Sequence, residues 1–530
     1  MKAKAYSIYG LIVLMFCAAL YSIYKTSGNP EYIYATERQS EYRLDVAVGR
    51  GVIYDCNMMP LVNESRKKVA AVIPSIGAVG ELIKHGENIN QDFLLTSLRR
   101  VLPFTIEVAD DFDVQNIDVF DVPRRYSEKQ LAPHIIGYLN SEGNGAAGVE
   151  LSMNDILKDK GRISVTYQVN AMQRTIAGGK KKIENTLQNY REGVVLTLDA
   201  NIQKIVQKAA EKLESGAVVV TEVPNCEIRA IASVPDFKEV NSNRAGAYMN
   251  KAFSAYSPGS IFKLIGAAGE MEAENDGYVY DCKGFIEVDG LKFYCYDRVP
   301  HGKVNIISAI EKSCNGYFIT AAQKQGVQSM LAMAYNMGFG IETEFGRGLF
   351  TSAGNVPNVQ ALLNERAFAN FSFGQGELTV TPLQVTVMMN AIVSGGEYAK
   401  PKLFAGTVDN LLKYTPIKSE VIDKRIDILS DFTAMKLVSA MEQTVRTGTA
   451  KKGEPENCRA GAKTGTAQTG IYRENVELNH YWYAGYIKEG NMPRYCITVL
   501  KDAAIDENGD TAAVFKEVAE KIAESVFYSG

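Results

Sequence analysis

From Ala5 to Tyr24 the chain carries no charged side chain. A helix of that length rises about 30 Å, enough to cross the hydrocarbon core of a bilayer. Lys2 and Lys4 precede the stretch and only Lys25 follows closely, a balance that places residues 1–4 on the cytoplasmic side as a short tail. The competing reading is a cleaved signal peptide, with Cys17-Ala18-Ala19 as a poor cleavage site. A lipidated Cys17 is disfavoured by the bulky Phe16 before it. No later apolar run is long enough to span a membrane, so the pattern predicts a single-pass anchor over 5–24.

Beyond the anchor, runs rich in β-branched residues, such as Tyr42–Val48 and Val69–Pro74, alternate with polar stretches and predict a β-rich domain over 25–190. Ala177–Lys182 reads as a turn and a solvated charge run, without the spacing of a phosphate loop. The pattern changes near Gly193. Val194–Asp199 predicts a strand, and Ala200–Leu213 has helical apolar spacing. Gly216–Glu222 and Glu227–Ser233 predict a hairpin across Pro224-Asn225. Thr381-Pro-Leu-Gln384 opens a helix with a capping box and Pro in its first turn. Strands are expected around Tyr481–Ile487 and Tyr495–Leu500, and a helix from Thr511 to Phe527. Helices and strands mix without regular alternation, so residues 191–530 are expected to form an antiparallel α+β domain.

Composition narrows the class. A chain of 530 residues needs at least two domains, and 46% hydrophobic with 22% charged residues excludes bulk disorder. The net charge of −4 argues against a nucleic-acid partner. Eight cysteines are too few for a disulfide scaffold. His85, His134, His301 and His480 are scattered, none at metal-ligand spacing with a cysteine, which disfavours a zinc enzyme; no metal or organic cofactor is expected. Cys282 and Cys295 lie close enough in sequence for a bridge worth about 2–3 kcal/mol, with two free thiols an equal alternative. Cys314 is expected to have a neutral packing role.

Three short motifs carry candidate chemistry. In Ser257-Pro-Gly-Ser-Ile-Phe-Lys263, Pro258 and Gly259 favour a helix start, leaving Ser260 at a helix N-terminus where free N–H groups favour developing negative charge. Lys263 follows one turn later on the same face and can activate a serine nucleophile if burial or a second cation lowers its pKa. In Ser313-Cys-Asn315 the hydroxyl can pass a proton and the amide can orient the lysine or the substrate. In Lys463-Thr-Gly-Thr466, Gly465 lets a substrate backbone lie close. Lys463, Thr464 and Thr466 can hold a carboxylate, and the N–H groups of Ser260 and Thr466 can form an oxyanion hole. Each motif has decoys: Ser22-x-x-Lys25 and Ser65-x-x-Lys68 for the first, Ser152-Met-Asn154 for the second, Arg446-Thr-Gly-Thr449 for the third. The joint occurrence and order carry the signal.

With these motifs in place, the chain resembles the class B high-molecular-mass penicillin-binding proteins, the membrane-anchored peptidoglycan D,D-transpeptidases of bacteria. Arg50-Gly-Val-Ile-Tyr-Asp55, Arg125-Tyr126, His134-Ile-Ile-Gly-Tyr138 and Gly145-Ala-Ala-Gly-Val-Glu150 look like signatures of the family's pedestal domain. Leu196-Thr-Leu-Asp199, Phe373-Gly-Gln-Gly376, Thr381-Pro-Leu-Gln384 and His480-Tyr-Trp-Tyr-Ala-Gly-Tyr486 look like those of its catalytic domain. The family usually has Gly where Met58 stands. The resemblance implies a penicillin-binding transpeptidase or serine β-lactamase-like domain over 191–530, an antiparallel sheet flanked by helices. It implies a pedestal or dimerisation-type domain over 25–190, and a catalytic domain outside the cytoplasm. It leaves no room for the C-terminal repeats of some relatives.

By the same resemblance, Ser260 would be the acylated nucleophile and Lys263 its base. Ser313 and Asn315 would form the middle element, and Lys463, Thr464, Gly465 and Thr466 the substrate-binding strand. The implied partners are peptidoglycan stem peptides ending in D-Ala-D-Ala, β-lactam antibiotics, and a glycan polymerase of the shape, elongation, division and sporulation (SEDS) type. Residues 25–190 lack the Glu-Asp pair and downstream His of a class A glycosyltransferase domain. A D,D-carboxypeptidase or β-lactamase on the same fold, and a non-catalytic scaffold or β-lactam sensor, are the alternatives.

Overall fold

The computed structural model describes residues 2–27, 29, 40–85, 90–111, 113–187, 190–237, 246–417, 424–506 and 508–527. Met1 of the expected tail and residues 528–530 of the expected catalytic domain lie outside them. Helix α1 spans Lys2–Ser27. Within it Tyr6–Ser27, with a mean hydropathy of 1.9, is long and apolar enough to cross a membrane, the only such helix among the described residues.

The chain divides into two units. Residues 1–51, 63–127 and 158–190 group in the first, and residues 52–62, 128–157 and 191–530 in the second. The change at 190/191 therefore has two earlier counterparts, and hydrogen bonding explains both. Val52–Tyr54 pairs in parallel with Gly193–Leu196. Gln130 Nε2 donates to Leu61 O at 2.8 Å and Gln207 Nε2 to Gln130 O at 3.0 Å, tying residues 128–157 to the chain beyond 191.

The first unit is β-rich, as its sequence predicts. Strands Glu41–Val48, Arg162–Gln168 and Lys181–Asn185 form one antiparallel sheet. Ser65–Val72 lies between Phe104–Val108 and Ile117–Arg124 in another. Side chains alternate across Ser65–Val72: Ala70 and Val72 pack with Ala78, Leu82 and Leu94, whereas Val69 and Ala71 pack with Val46, Ile163 and Val165.

In the second unit β1 (Val52–Tyr54) precedes β2 (Gly193–Leu196) and α2 (Ala200–Ala210). Asp199 caps α2 by accepting from the N–H groups of Asn201 and Ile202 at 2.8 and 3.1 Å. The fully buried Asp55 accepts from Ala200 N–H at 3.0 Å and from the N–H groups of Asn57 and Met59, closing the turn after β1. Met58 in that turn has φ 63°, in the left-handed region, which is the physical reason a glycine suits this position.

The expected hairpin is β3 (Gly216–Glu222) and β4 (Glu227–Val234). Then come α3 (Lys263–Glu272), α4 (Asn315–Gln325), α5 (Pro382–Val393), α6 (Asp431–Arg446), β5 (Arg459–Arg473), β6 (Val476–Glu489), β7 (Met492–Ala504) and α7 (Asp510–Ile522). The sheet order is β4-β3-β7-β6-β5, all antiparallel. Both faces are covered, so its strands are apolar on both sides. Trp482, Ala484 and Tyr486 of β6 join the core of α3, α4 and α5, while Tyr483 and Ile487 join that of α2 and α7. The capping box on α5 is complete: Gln384 N–H donates to Thr381 Oγ1 at 3.1 Å and Thr381 N–H to Gln384 Oε1 at 2.8 Å. The fold is the antiparallel α+β architecture with a β-rich N-terminal region.

Candidate active site

The turn Gly259–Phe262 leads directly into α3. Ile261, Phe262, Leu264 and Ile265 are buried in the core, which pins the turn from below and leaves Ser260 half-buried. Glycines allow the turn to touch its neighbours. Gly259 has φ +53°, and a Cβ there would lie 2.4 Å from Thr466 O. Gly374, of Phe373-Gly-Gln-Gly376, accepts the Gly259 N–H at 2.9 Å, and its own Cβ would lie 2.0 Å from Gly259 O. A Cβ on Gly465 would come 2.8 Å from Pro258 O. Three motifs far apart in sequence therefore converge by backbone-to-backbone packing at residues without side chains.

The middle motif sits on the turn before α4. Ser313 has φ +54°, a strained position for a residue with a side chain. Its placement is fixed by the bonds from Ser313 N–H to Ile310 O at 3.2 Å and from Cys314 N–H to Ala309 O at 2.9 Å. Lys263 is fully buried. Its amine donates to Ser313 O at 2.7 Å, Ser313 Oγ at 3.0 Å and Asn315 Oδ1 at 2.6 Å. Asn315 Nδ2 in turn donates to Tyr294 O at 2.7 Å. The fully buried Lys463 of the edge strand β5 reaches the same hydroxyl, Ser313 Oγ, at 3.0 Å, and bonds Thr464 O at 2.8 Å.

Two buried amines thus share one hydroxyl. Burial pushes the Lys263 amine down to about 8, opposed in part by the nearby Cys314 and Cys295. Burial, and then the charge of Lys263, holds Lys463 well below the usual lysine value. A neutral amine is what a general base requires.

Ser260, Lys263, Ser313, Asn315, Lys463, Thr464, Gly465 and Thr466 all belong to this one convergence. One expected contact is different: the bonds of the Lys263 amine go to residues 313 and 315, and Ser260 is not among its partners. The amine is drawn there because a carbonyl, a hydroxyl and an amide oxygen all converge on it. Two contributors were missed in the sequence. Thr449, in the motif copy at the end of α6, bonds Thr464 through their hydroxyls at 2.9 Å. Trp482 Nε1 donates to Ser257 O at 3.0 Å and anchors the start of the first motif. Of the two states open to Cys282 and Cys295, the structure has the free thiols: their sulfurs are 3.7 Å apart, beyond the ~2.05 Å of a disulfide. Cys314 is fully buried in the core, as its packing role requires, and its sulfur lies 4.0 Å from that of Cys295.

Residues 216–524 match the family model of the penicillin binding protein transpeptidase domain, a span that holds all three motifs. The chain belongs to this transpeptidase family. Among its relatives is the stage V sporulation protein D of Bacillus subtilis, 30% identical over 385 residues, covering 68% of this chain; the chain spans 57% of that relative's length. Solved structures that share the fold include two assemblies. A complex between penicillin-binding protein PBP2 and MreC from Helicobacter pylori has a TM-score of 0.66 at 21% identity, covering 92% of this chain and all of the other. A peptidoglycan synthase complex that coordinates polymerization and crosslinking has a TM-score of 0.69 at 19% identity, covering 98% of both chains.

The penicillin-binding family assignment makes the contact between Gly259 and Thr466 testable. Gly259→Ala must relieve both a left-handed backbone and a clash with a carbonyl. It is expected to shift the Ser260 turn and to slow covalent labelling by benzylpenicillin about 10²-fold, the scale of a 1 Å misplacement. Stopped-flow acylation rates check this. A rate within threefold of wild type would show that the turn tolerates the displacement.

Proposed function

We propose that this protein is a membrane-anchored peptidoglycan D,D-transpeptidase that works through a serine acyl-enzyme on Ser260 and is inhibited covalently by β-lactams. The observation that carries the reading is the Ser313 hydroxyl shared by two buried lysine amines, beside a Ser260 turn packed against the Lys463-Thr-Gly-Thr466 strand.

In the proposed reaction Ser260 Oγ attacks the carbonyl between the two terminal D-alanines of a stem peptide, and its proton passes to the neutral Lys263 amine. The N–H groups of Ser260 and Thr466 stabilise the oxyanion. The peptide C–N bond breaks, the leaving D-Ala amine takes a proton through Ser313, and the ester to Ser260 remains. An amine of a neighbouring stem attacks the ester, loses a proton to the same relay, forms the cross-link and frees Ser260. Lys463, Thr464 and Thr466 bind the terminal carboxylate, and Asn315 orients Lys263. Strand β5 lies at the edge of its sheet, which suits an extended peptide laid along it. Helix α1 supports a single-pass bacterial cell-membrane location with an extracytoplasmic catalytic domain; residues 52–62 and 128–157 group with that domain rather than with the pedestal. The likeness to a synthase complex that couples polymerization to crosslinking supports a SEDS-type glycan polymerase as partner.

The full chain in detergent, incubated with benzylpenicillin and followed by intact mass, tests this. A drug-sized adduct that persists for hours and is absent in Ser260→Ala is expected. An adduct that disappears while hydrolysed drug accumulates would point to a β-lactamase or carboxypeptidase. A folded chain that never gains mass would point to a scaffold or sensor.

A further inference from the structure

Four side chains with metal-binding atoms meet beside the middle motif. Cys282 ends the strand Tyr280–Cys282, Cys295 follows the strand Leu291–Tyr294, His301 precedes the strand Gly302–Val304, and Cys314 stands immediately before α4. Cys282 Sγ lies 3.7 Å from Cys295 Sγ and 3.5 Å from His301 Nδ1, and Cys295 Sγ lies 4.0 Å from Cys314 Sγ. All four ligand atoms are within 4.8 Å of one another. The three cysteines are buried and His301 is half-buried.

We propose that Cys282, Cys295, His301 and Cys314 form a structural zinc site. Zn–S bonds of about 2.3 Å and a Zn–N bond of about 2.0 Å in a tetrahedron put sulfurs about 3.8 Å apart, and sulfur and nitrogen about 3.5 Å apart. The 3.7, 3.5 and 4.0 Å separations lie close to these and are far longer than a disulfide. Backbone donors also point at the sulfurs, as thiolate ligands require. Gly284 N–H donates to Cys282 Sγ at 3.4 Å, and the N–H groups of Asn315 and Gly316 face Cys295. With four protein ligands the ion has no open position, so its role is structural. Binding releases the three thiol protons and involves no redox change.

The site holds the middle motif in place. Cys314 lies between Ser313 and Asn315, the two residues that grip Lys263, and Ser313 needs support to keep its positive φ. Through Cys282, Cys295 and His301, the ion ties this turn to two small hairpins otherwise held by short ladders. The inference is independent of the transpeptidase reading, since its test reads metal rather than activity.

The full chain, purified in detergent without chelator, is expected to contain about one zinc per chain by plasma mass spectrometry. Cobalt(II) exchanged into it is expected to give the sulfur-to-cobalt charge-transfer band and intense d–d bands of a tetrahedral thiolate site. Cys282→Ser and His301→Gln should each lose the metal, and Cys458→Ser should keep it. If the ligand variants do not fold, the cobalt spectrum of the wild-type chain decides alone. Substoichiometric zinc that survives in a folded Cys282→Ser, an adventitious ion only, overturns the proposal. So does a metal-free chain lighter by two hydrogens whose Cys282, Cys295 or Cys314 resists alkylation until reduced, because those thiols then pair as a disulfide.

Discussion

Replacing Lys263 by methionine is expected to slow acylation of Ser260 by benzylpenicillin by about 10³-fold, within the 10²–10⁴ range that general-base catalysis contributes. Methionine keeps the length of the buried stem while removing the amine and its bonds to Ser313 and Asn315. Three titratable groups face this amine: Lys463 from the edge strand, and the Cys295 and Cys314 thiols from the segments packed against α3. Burial is the dominant influence and favours the neutral form, so Lys263 titrates at about 8. Below that value the amine is protonated and cannot accept the serine proton; above it the base is free. The wild-type acylation rate is therefore expected to rise with pH through about 8 and then level. The same group makes folding pH-dependent in the same direction. Between about 8 and the ordinary lysine value of 10.5, the unfolded chain binds the extra proton, so stability from this residue rises with pH across that window. Acylation rates from pH 6 to 10 on both proteins, with thermal unfolding to check folding, measure all three effects. A Lys263→Met rate within tenfold of wild type, or a flat wild-type profile, would assign the proton to another acceptor.

Asp502→Asn is expected to cost roughly 3–5 kcal/mol of stability, the usual consequence of leaving a buried charge without its partner. Asp502 Oδ2 lies 2.7 Å from Lys251 Nζ, with side chains only 13% and 6% exposed. His480 Nδ1 stands 3.3 Å from the other oxygen. Burial alone would raise this carboxyl, but the His480 and Lys251 bonds and the Lys251 charge more than offset it, holding Asp502 at about 2. The stabilisation is thus present above the ordinary aspartate value of 3.8 and is lost as pH falls through about 2. The double variant Asp502→Asn/Lys251→Met removes the stranded amine and is expected to recover at least half of the loss. Thermal unfolding of the single and double variants measures this, and additive losses would show that the two side chains do not interact.

Much of the site was legible because its chemistry obeys short spacings. Ser260 and Lys263 are one helical turn apart, Ser313 and Asn315 flank one residue, and Lys463 to Thr466 is a single strand segment. Capping by Thr381 was readable for the same reason, since a cap concerns residues two or three apart, whereas Asp199 read as the end of a strand and caps a helix. The features that distance in sequence concealed are of another kind. Arg446-Thr-Gly-Thr449 looked like a decoy, yet folding places Thr449 against Thr464 because α6 ends beside strand β5. Gly374 could be read as part of a motif but not as the residue that lets Gly259 approach. Residues 52–62 and 128–157 read as pedestal and pack with the second unit, because pairing partners are chosen by the sheet rather than by chain order.

The histidines show the same effect of chain closure. On spacing alone none of the four belonged with a cysteine, and His301 nevertheless lies 3.5 Å from Cys282 Sγ. Two small hairpins reverse the chain between residues 280 and 304, and such reversals bring ligands together at separations no fixed spacing describes. Local pattern therefore settled the long apolar helix, the α+β class and the three motifs, because apolar periodicity, capping and one-turn spacings act over a few residues. Tertiary packing decided which groups share the Ser313 hydroxyl, which amines are buried enough to lose their protons, and which thiols face one another. Burial and long-range contact exist only once the chain has closed on itself.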